Sequence, residues 1–149
     1  MGKIDEELKT KFANNKHRFI TNLIYTSNSF QNLFIDFLKP YDISPQQFNI
    51  LRILRGNGDW VSMNAIKELM IDKAPNATRL SNKLLDKGLV ERERSESDRR
   101  VVYLKINATG MDLLKKIDED DSGSHQDYFG RITDEEAKQF NQILDKIRG

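Results

Sequence analysis

The chain has 149 residues, 38% of them hydrophobic and 32% charged, with a formal net charge of +1, which allows one core under a charge-rich surface. It holds no cysteine, and this excludes disulfides, thiol redox sensing, cysteine zinc sites and cysteine nucleophiles together. No apolar run reaches the roughly 18 residues of a membrane span, and the start MGKIDEELKTKF is charged where a signal peptide is apolar, so a soluble cytoplasmic protein is expected.

Between about residues 3 and 38, Phe19, Ile20, Leu23, Ile24, Phe30, Leu33, Phe34, Phe37 and Leu38 recur at spacings of three and four, the period of a helix. Pro40 disfavours helical geometry in the residue before it, so this first helix ends at Lys39. Ser44-Pro45-Gln46-Gln47 opens a second helix: serine caps, proline suits the first position, and Gln47 completes a capping box. Its apolar face is Phe48, Ile50, Leu51, Ile53 and Leu54, and it ends at Gly56-Asn57-Gly58-Asp59, where left-handed backbone is tolerated. Ser62 starts a short third helix with Ala65, Ile66, Leu69 and Met70 facing inward. Pro75 opens a fourth that runs to about Lys87, with Ala77, Leu80 and Leu84 inside and Gly88 as its C-terminal stop.

The period then changes from 3.6 to two. Leu89–Arg94 and Val101–Ile106 read as strands, and the polar Ser95–Arg100 between them has the length of a hairpin loop. Asn107 caps a fifth helix with Met111, Leu114 and Ile117 on one face, and Gly123 kinks or breaks it. Thr133-Asp134-Glu135-Glu136 is a second capping box, opening a last helix with Phe140, Ile143, Leu144 and Ile147 as its stripe.

The expected fold is therefore mainly α with a small β-hairpin. The three middle helices and the hairpin form a winged helix-turn-helix, and the helices at both ends are surplus to it. The second helix of such a pair lies in the major groove of DNA. On the fourth helix the outward residues are Asn76, Thr78, Arg79, Asn82 and Lys83. Asn suits adenine, Arg suits guanine, and Thr and Lys suit phosphates or bases. Any solvated helix face is polar, so this face alone decides nothing. The hairpin tip adds Asp98-Arg99-Arg100, and an arginine on a thin projection exploits the negative potential of a narrow minor groove. Asp98 is expected to hold Arg100 extended. Charge points the same way: residues 73–105 carry nine Lys/Arg against five Asp/Glu, a local +4, while residues 106–149 carry six against ten, a local −4.

The stretches Ala65–Leu69, Asn76–Leu80 and Leu84–Arg92, with Ser97–Val101 and Leu104–Gly110, resemble the MarR family of bacterial regulators over about residues 44–112. The resemblance implies a homodimer on pseudo-palindromic double-stranded DNA, with the terminal helices interlocked as a dimerisation lobe. It puts an Asp-x-Arg wing motif on Asp98 and Arg100 and the recognition helix on Pro75–Lys87. It implies a repressor, released by a small aromatic or lipophilic effector seated between the dimerisation helices and the winged lobe. The expected organisation is one domain, 1–149, with a winged lobe at 44–107 and helical lobes at 3–38 and 108–149. Trp60 departs from the family pattern and is read as a core or hinge plug, with a pocket wall as the alternative. Tyr25, Phe30, Phe34 and Phe48 share that alternative.

Other functions find little support. His17 and His125 are the only histidines and lie far apart, so no metal site is expected; Asp118-Glu119-Asp120-Asp121 lacks the spacing and central glycine of an EF-hand loop. No glycine-rich phosphate loop, nucleophile elbow or paired-histidine motif is present, so neither a cofactor nor an enzymatic activity is expected. The alternative is a winged helix used for protein contact; charge reversal at Arg79 and Arg100 separates the two, since only DNA recognition needs both.

Overall fold

A computed structural model describes residues 2–73, 76–122, 127–128 and 130–149. The expectations placed on Pro75, Gly123 and His125 fall outside these residues. The chain divides into two compact units, Met1–Asp118 and Glu119–Gly149.

The first unit opens with a short helix α1 (Ile4–Glu7), followed by the long α2 (Asn15–Leu38). The sequence suggested one continuous helix. The break follows from local chemistry: Lys9 adopts a left-handed φ of 50°, and Asn14 caps α2 by accepting the His17 backbone N–H at 2.9 Å. α1 is tied to α2 by Arg18, whose Nε donates to Asp5 Oδ1 at 3.0 Å. The Tyr25 hydroxyl also hydrogen-bonds to Glu7, and this bond with the carboxylate's charge raises the Tyr25 pKa above its ordinary 10.0. α2 ends in a 3-10 turn (Lys39–Tyr41) at Pro40, close to the expected stop.

α3 (Pro45–Asn57) carries the expected capping box: Gln47 N–H donates to Ser44 Oγ at 3.1 Å, and Ser44 N–H to Gln47 Oε1 at 3.1 Å. It ends at Gly58, whose φ of 75° lies in the left-handed region that favours glycine. α3 is the centre of the unit. Ile50, Leu51 and Leu54 have no exposed surface, and Leu38, Ile66, Leu84, Leu104 and Leu114 complete the core around them.

Ser62 caps α4 (Met63–Leu69) by accepting Ala65 N–H at 3.2 Å. Ile66 and Met70 point inward as expected, but Leu69 is 60% exposed. A seven-residue helix has only two turns, and Ile66 and Met70 take its inward line, leaving Leu69 on the flank. α5 (Ala77–Asp86) buries Ala77, Leu80 and Leu84 as expected, and also Ser81, whose Oγ donates to the Ala77 carbonyl at 2.8 Å. It closes in a Schellman motif. Leu89 N–H donates to Leu84 O at 3.1 Å and Gly88 N–H to Leu85 O at 3.0 Å, with Gly88 at a φ of 70°.

The hairpin strands are β2 (Val90–Arg94) and β3 (Val102–Ile106). A third strand, β1 (Val61–Ser62), pairs antiparallel with β3 through Val61↔Leu104 and Ser62↔Tyr103, giving the order β1-β3-β2. Two residues show no alternation, so β1 was invisible in the sequence. Asn107 then caps α6 (Ala108–Asp118), accepting Gly110 N–H at 2.9 Å and donating to Gly88 O at 2.7 Å. Leu114 and Ile117 are buried, whereas Met111 is 43% exposed. A Cβ on Gly110 would collide with the Leu89 carbonyl oxygen and the Ile106 side chain, so only glycine lets α6 pass this close to the base of the hairpin.

In the second unit, α7 (Asp134–Arg148) begins at the expected capping box: Glu136 N–H donates to Thr133 Oγ1 at 3.2 Å, and Thr133 N–H to Glu136 Oε2 at 2.8 Å. Its stripe lies open within this unit, with Phe140, Ile143 and Ile147 about half exposed.

Candidate nucleic-acid interface

α5 is fixed from its inner side. Ala77, Leu80 and Leu84 enter the core, and Lys87, just beyond the helix, donates to the Asp42 carbonyl and to Gln47 Oε1 at 3.2 Å. Gln47 is itself 4% exposed and belongs to the α3 capping box. Two helix ends are thus locked together by one lysine. The opposite side of α5 is free for contact: Asn76, Thr78, Arg79, Asn82 and Lys83 are all exposed. Asn76 occupies the N-cap position, yet its side chain makes no capping hydrogen bond.

The hairpin tip is a built turn. Asp98 Oδ1 accepts the backbone N–H of Arg100 at 3.1 Å, and its carbonyl accepts Val101 N–H at 2.9 Å. Asp98 N–H donates to Ser95 Oγ at 3.3 Å, and Ser95 Oγ lies 2.9 Å from Ser97 Oγ. The sequence suggested that the carboxylate would hold the Arg100 side chain. It holds the backbone instead, in the local turn that Asp favours because its oxygen reaches the amide two residues on. Arg94 braces the tip from the strand, Nη1 donating to the Arg99 carbonyl at 3.3 Å. Arg99 and Arg100 are exposed, and among the described residues no carboxylate pairs with either guanidinium.

One functional-face contact was not foreseen. Arg92 Nη1 donates to Asn82 Oδ1 at 2.9 Å. The register explains it: Arg92 lies opposite the buried Leu104, so its side chain leaves the sheet on the helix side. The alternation Glu91-Arg92-Glu93-Arg94 already placed both arginines on one face. What it lacked was the partner.

Two of the aromatic side chains considered as pocket walls stand elsewhere. Trp60 is half-buried on the open face of the sheet, with Lys105 Nζ 6.0 Å from its ring centroid. It lines a hollow of about 220 Å³ with Tyr103, Glu93 and Arg94, and is neither core nor hinge. Tyr25 belongs to the α1 clasp. Phe30, Phe34 and Phe48 do come together, with Ile71 and Arg52, around a groove of about 410 Å³ between α2 and α3. Phe34 meets Phe48 edge to face at 5.2 Å, and the Arg52 guanidinium lies 5.8 Å from the Phe48 ring centroid.

A helix with one sunken and one polar face, beside a two-stranded projection tipped with arginine, is the geometry of a winged helix-turn-helix. Residues 43–102 match the MarR family model. The chain is 31% identical over 98 residues, 66% of its length and 70% of the relative's, to YwhA of Bacillus subtilis, an uncharacterized HTH-type transcriptional regulator. The chain belongs to the MarR family. It is 29% identical over 127 residues, covering 84% of itself and 88% of the relative, to the multiple antibiotic resistance protein MarR of Salmonella typhimurium. Its fold superposes on a crystal structure of a single-site mutant of MarR from E. coli complexed with operator DNA, with a TM-score of 0.72, 23% identity, and coverage of 92% of this chain and 99% of that one. As a MarR-family member the chain is a DNA-binding transcriptional regulator and not an enzyme. No helix among the described residues is long and apolar enough to cross a membrane.

Proposed function

We propose that this MarR-family regulator binds a pseudo-palindromic double-stranded operator as a homodimer and represses transcription from it. The observation that carries this reading is the two-sided α5: its core face is sealed, and Asn76, Thr78, Arg79, Asn82 and Lys83 stand exposed opposite. Thr78, Arg79 and Asn82 would meet base edges, Asn76 and Lys83 bases or phosphates, and Arg99 and Arg100 the minor groove. Asp98 shapes the tip that presents them. Exposed apolar residues support pairing through the terminal helices: Ile20, Ile24 and Phe30 on α2, and Phe140, Ile143 and Ile147 on α7. Burying such stripes against a second chain removes apolar surface from water. Two recognition helices about 34 Å apart would then enter successive major grooves, and a dimer covering that span obstructs polymerase.

The groove bounded by Phe30, Phe34, Phe48 and Ile71 suits a small aromatic or lipophilic effector, with Arg52 at hand for an anionic group. Ile71 lies just beyond α4 in the chain. A ligand there releases DNA only by favouring a helix arrangement unsuited to the operator.

Selection of bound duplexes from a random pool, with Arg100→Ala beside the wild type, tests the function. The expected result is an inverted repeat with half-sites about ten base pairs apart, bound more weakly by the variant. Salt-sensitive binding without enrichment would reduce the protein to a nonspecific DNA binder, and no binding at low salt would favour a protein-contact module.

A further inference from the structure

We propose that Arg92 is a positioning residue for Asn82 and sets the base that Asn82 prefers. The inference rests on the proposed reading of α5 as the recognition helix and deepens it. A carboxamide has two dissimilar ends, an acceptor oxygen and a donor NH₂ group, and half a turn about its last bond exchanges them. An unrestrained asparagine on a helix surface therefore offers either end to a base. Asn82 is restrained. The guanidinium of Arg92 has donors only, and it meets Oδ1 at 2.9 Å. The flipped amide would set donor against donor, so one orientation survives.

The register aims this bond, made between two exposed side chains, at α5. Arg92 sits mid-strand in β2, paired with Leu104 of β3, and Leu104 is 1% exposed. The arginine therefore approaches α5 from the anchored side of the sheet. Its charge also weakens what acceptor strength remains on Oδ1, while the Nδ2 hydrogens stay available. Asn82 thus acts mainly as a donor. It should select a base edge rich in acceptors, with guanine, whose N7 and O6 both accept, ahead of adenine, which pairs one acceptor with one donor. Adenine is the partner that asparagine's side-chain chemistry alone would suggest.

The test is duplex selection on four proteins: wild type, Asn82→Ala, Arg92→Met and Arg92→Lys. Asn82→Ala should flatten the preference at one position in each half-site, from about tenfold, the scale of one hydrogen bond. Arg92→Met keeps the length of the stem and removes the donors. It should broaden that same position, admitting adenine, and leave the others sharp. Arg92→Lys, which retains a donor, should restore part of the guanine preference. A merely structural arginine would weaken binding evenly over all positions, so an even loss in Arg92→Met overturns the proposal, as does an unchanged profile. An Asn82→Ala profile identical to the wild type's overturns it as well. A wild type that enriches no half-site overturns the recognition-helix reading itself, and this inference with it. The side-chain NH₂ chemical shifts of Asn82 give an independent readout: Arg92→Met should move them toward those of a solvated asparagine, and unchanged shifts would overturn the proposal.

Discussion

At the scale of single residues, the wing shows how one carboxylate serves a basic surface without cancelling it. Asp98 spends its oxygen on the Arg100 backbone N–H, which leaves both guanidinium groups of the tip for an anionic partner. This predicts a split between two substitutions. Asp98→Asn keeps an acceptor oxygen and the turn, so operator affinity should stay within about twofold of wild type, the scale of a retained local hydrogen bond. Asp98→Ala removes the acceptor and loosens the tip, and affinity should fall by roughly three- to tenfold. Fluorescence anisotropy on one operator duplex measures both. Equal losses would mean that the charge of Asp98, rather than its geometry, matters. The acceptor role was not legible from spacing alone, because an Asp two residues before an Arg suits a side-chain ion pair and a backbone turn equally.

At the scale of elements, capping chemistry was the most readable feature. Ser44/Gln47 and Thr133/Glu136 both form the reciprocal boxes their sequences suggest, because capping depends on residues three apart and on little else. The second box carries a titration. Hydrogen bonds from the Thr133 backbone and hydroxyl stabilise the Glu136 carboxylate and lower its pKa below the usual 4.5. A depressed carboxylate contributes stability above its unfolded pKa and loses it as pH falls through the folded value. The start of α7 should therefore fray on acidification below about 4.5 and not between neutral pH and 5. Carboxyl-carbon NMR should place the Glu136 midpoint under 4.5 in the intact chain, the usual value given for this group, and Thr133→Val should return it upward. Valine keeps the backbone N–H, the larger cause, so the return should be partial, and a midpoint indifferent to this substitution would leave the backbone hydrogen bond alone as the cause. Short elements were less readable: β1 has two residues, too few for a period, and it forms because Val61 finds Leu104.

At the scale of the whole molecule, folding gathers charge that is dispersed along the chain. The basic middle of the chain becomes one exposed helix face and one hairpin tip, and phosphate neutralisation there should make affinity fall steeply with salt. If Lys83 holds a phosphate, Lys83→Ala should lower the slope of log affinity against log salt by about one per contact. A homodimer doubles this to about two. A salt titration between 50 and 200 mM, roughly the range over which such binding changes most, distinguishes the cases: a change near two supports paired recognition helices, a change near one a single helix, and an unchanged slope removes Lys83 from the interface.

The sequence by itself determined the helix-turn-helix and hairpin, the caps and the polar side of α5. Hydrophobic period, proline, glycine and capping residues act within a few positions along the chain, so their outcome depends little on what lies elsewhere. Only the tertiary structure decided which side chains meet across the chain. Leu69 stays outside because Ile66 and Met70 take the inward line, and Trp60 lies on the open sheet face beside Lys105 because β1 pairs with β3. Asn82 receives Arg92, ten residues on, because the strand register aims that arginine back at α5. A charged or polar side chain has many acceptable partners in water, and sequence pattern does not choose among them. The fold chooses, by bringing one donor to one acceptor at hydrogen-bond distance.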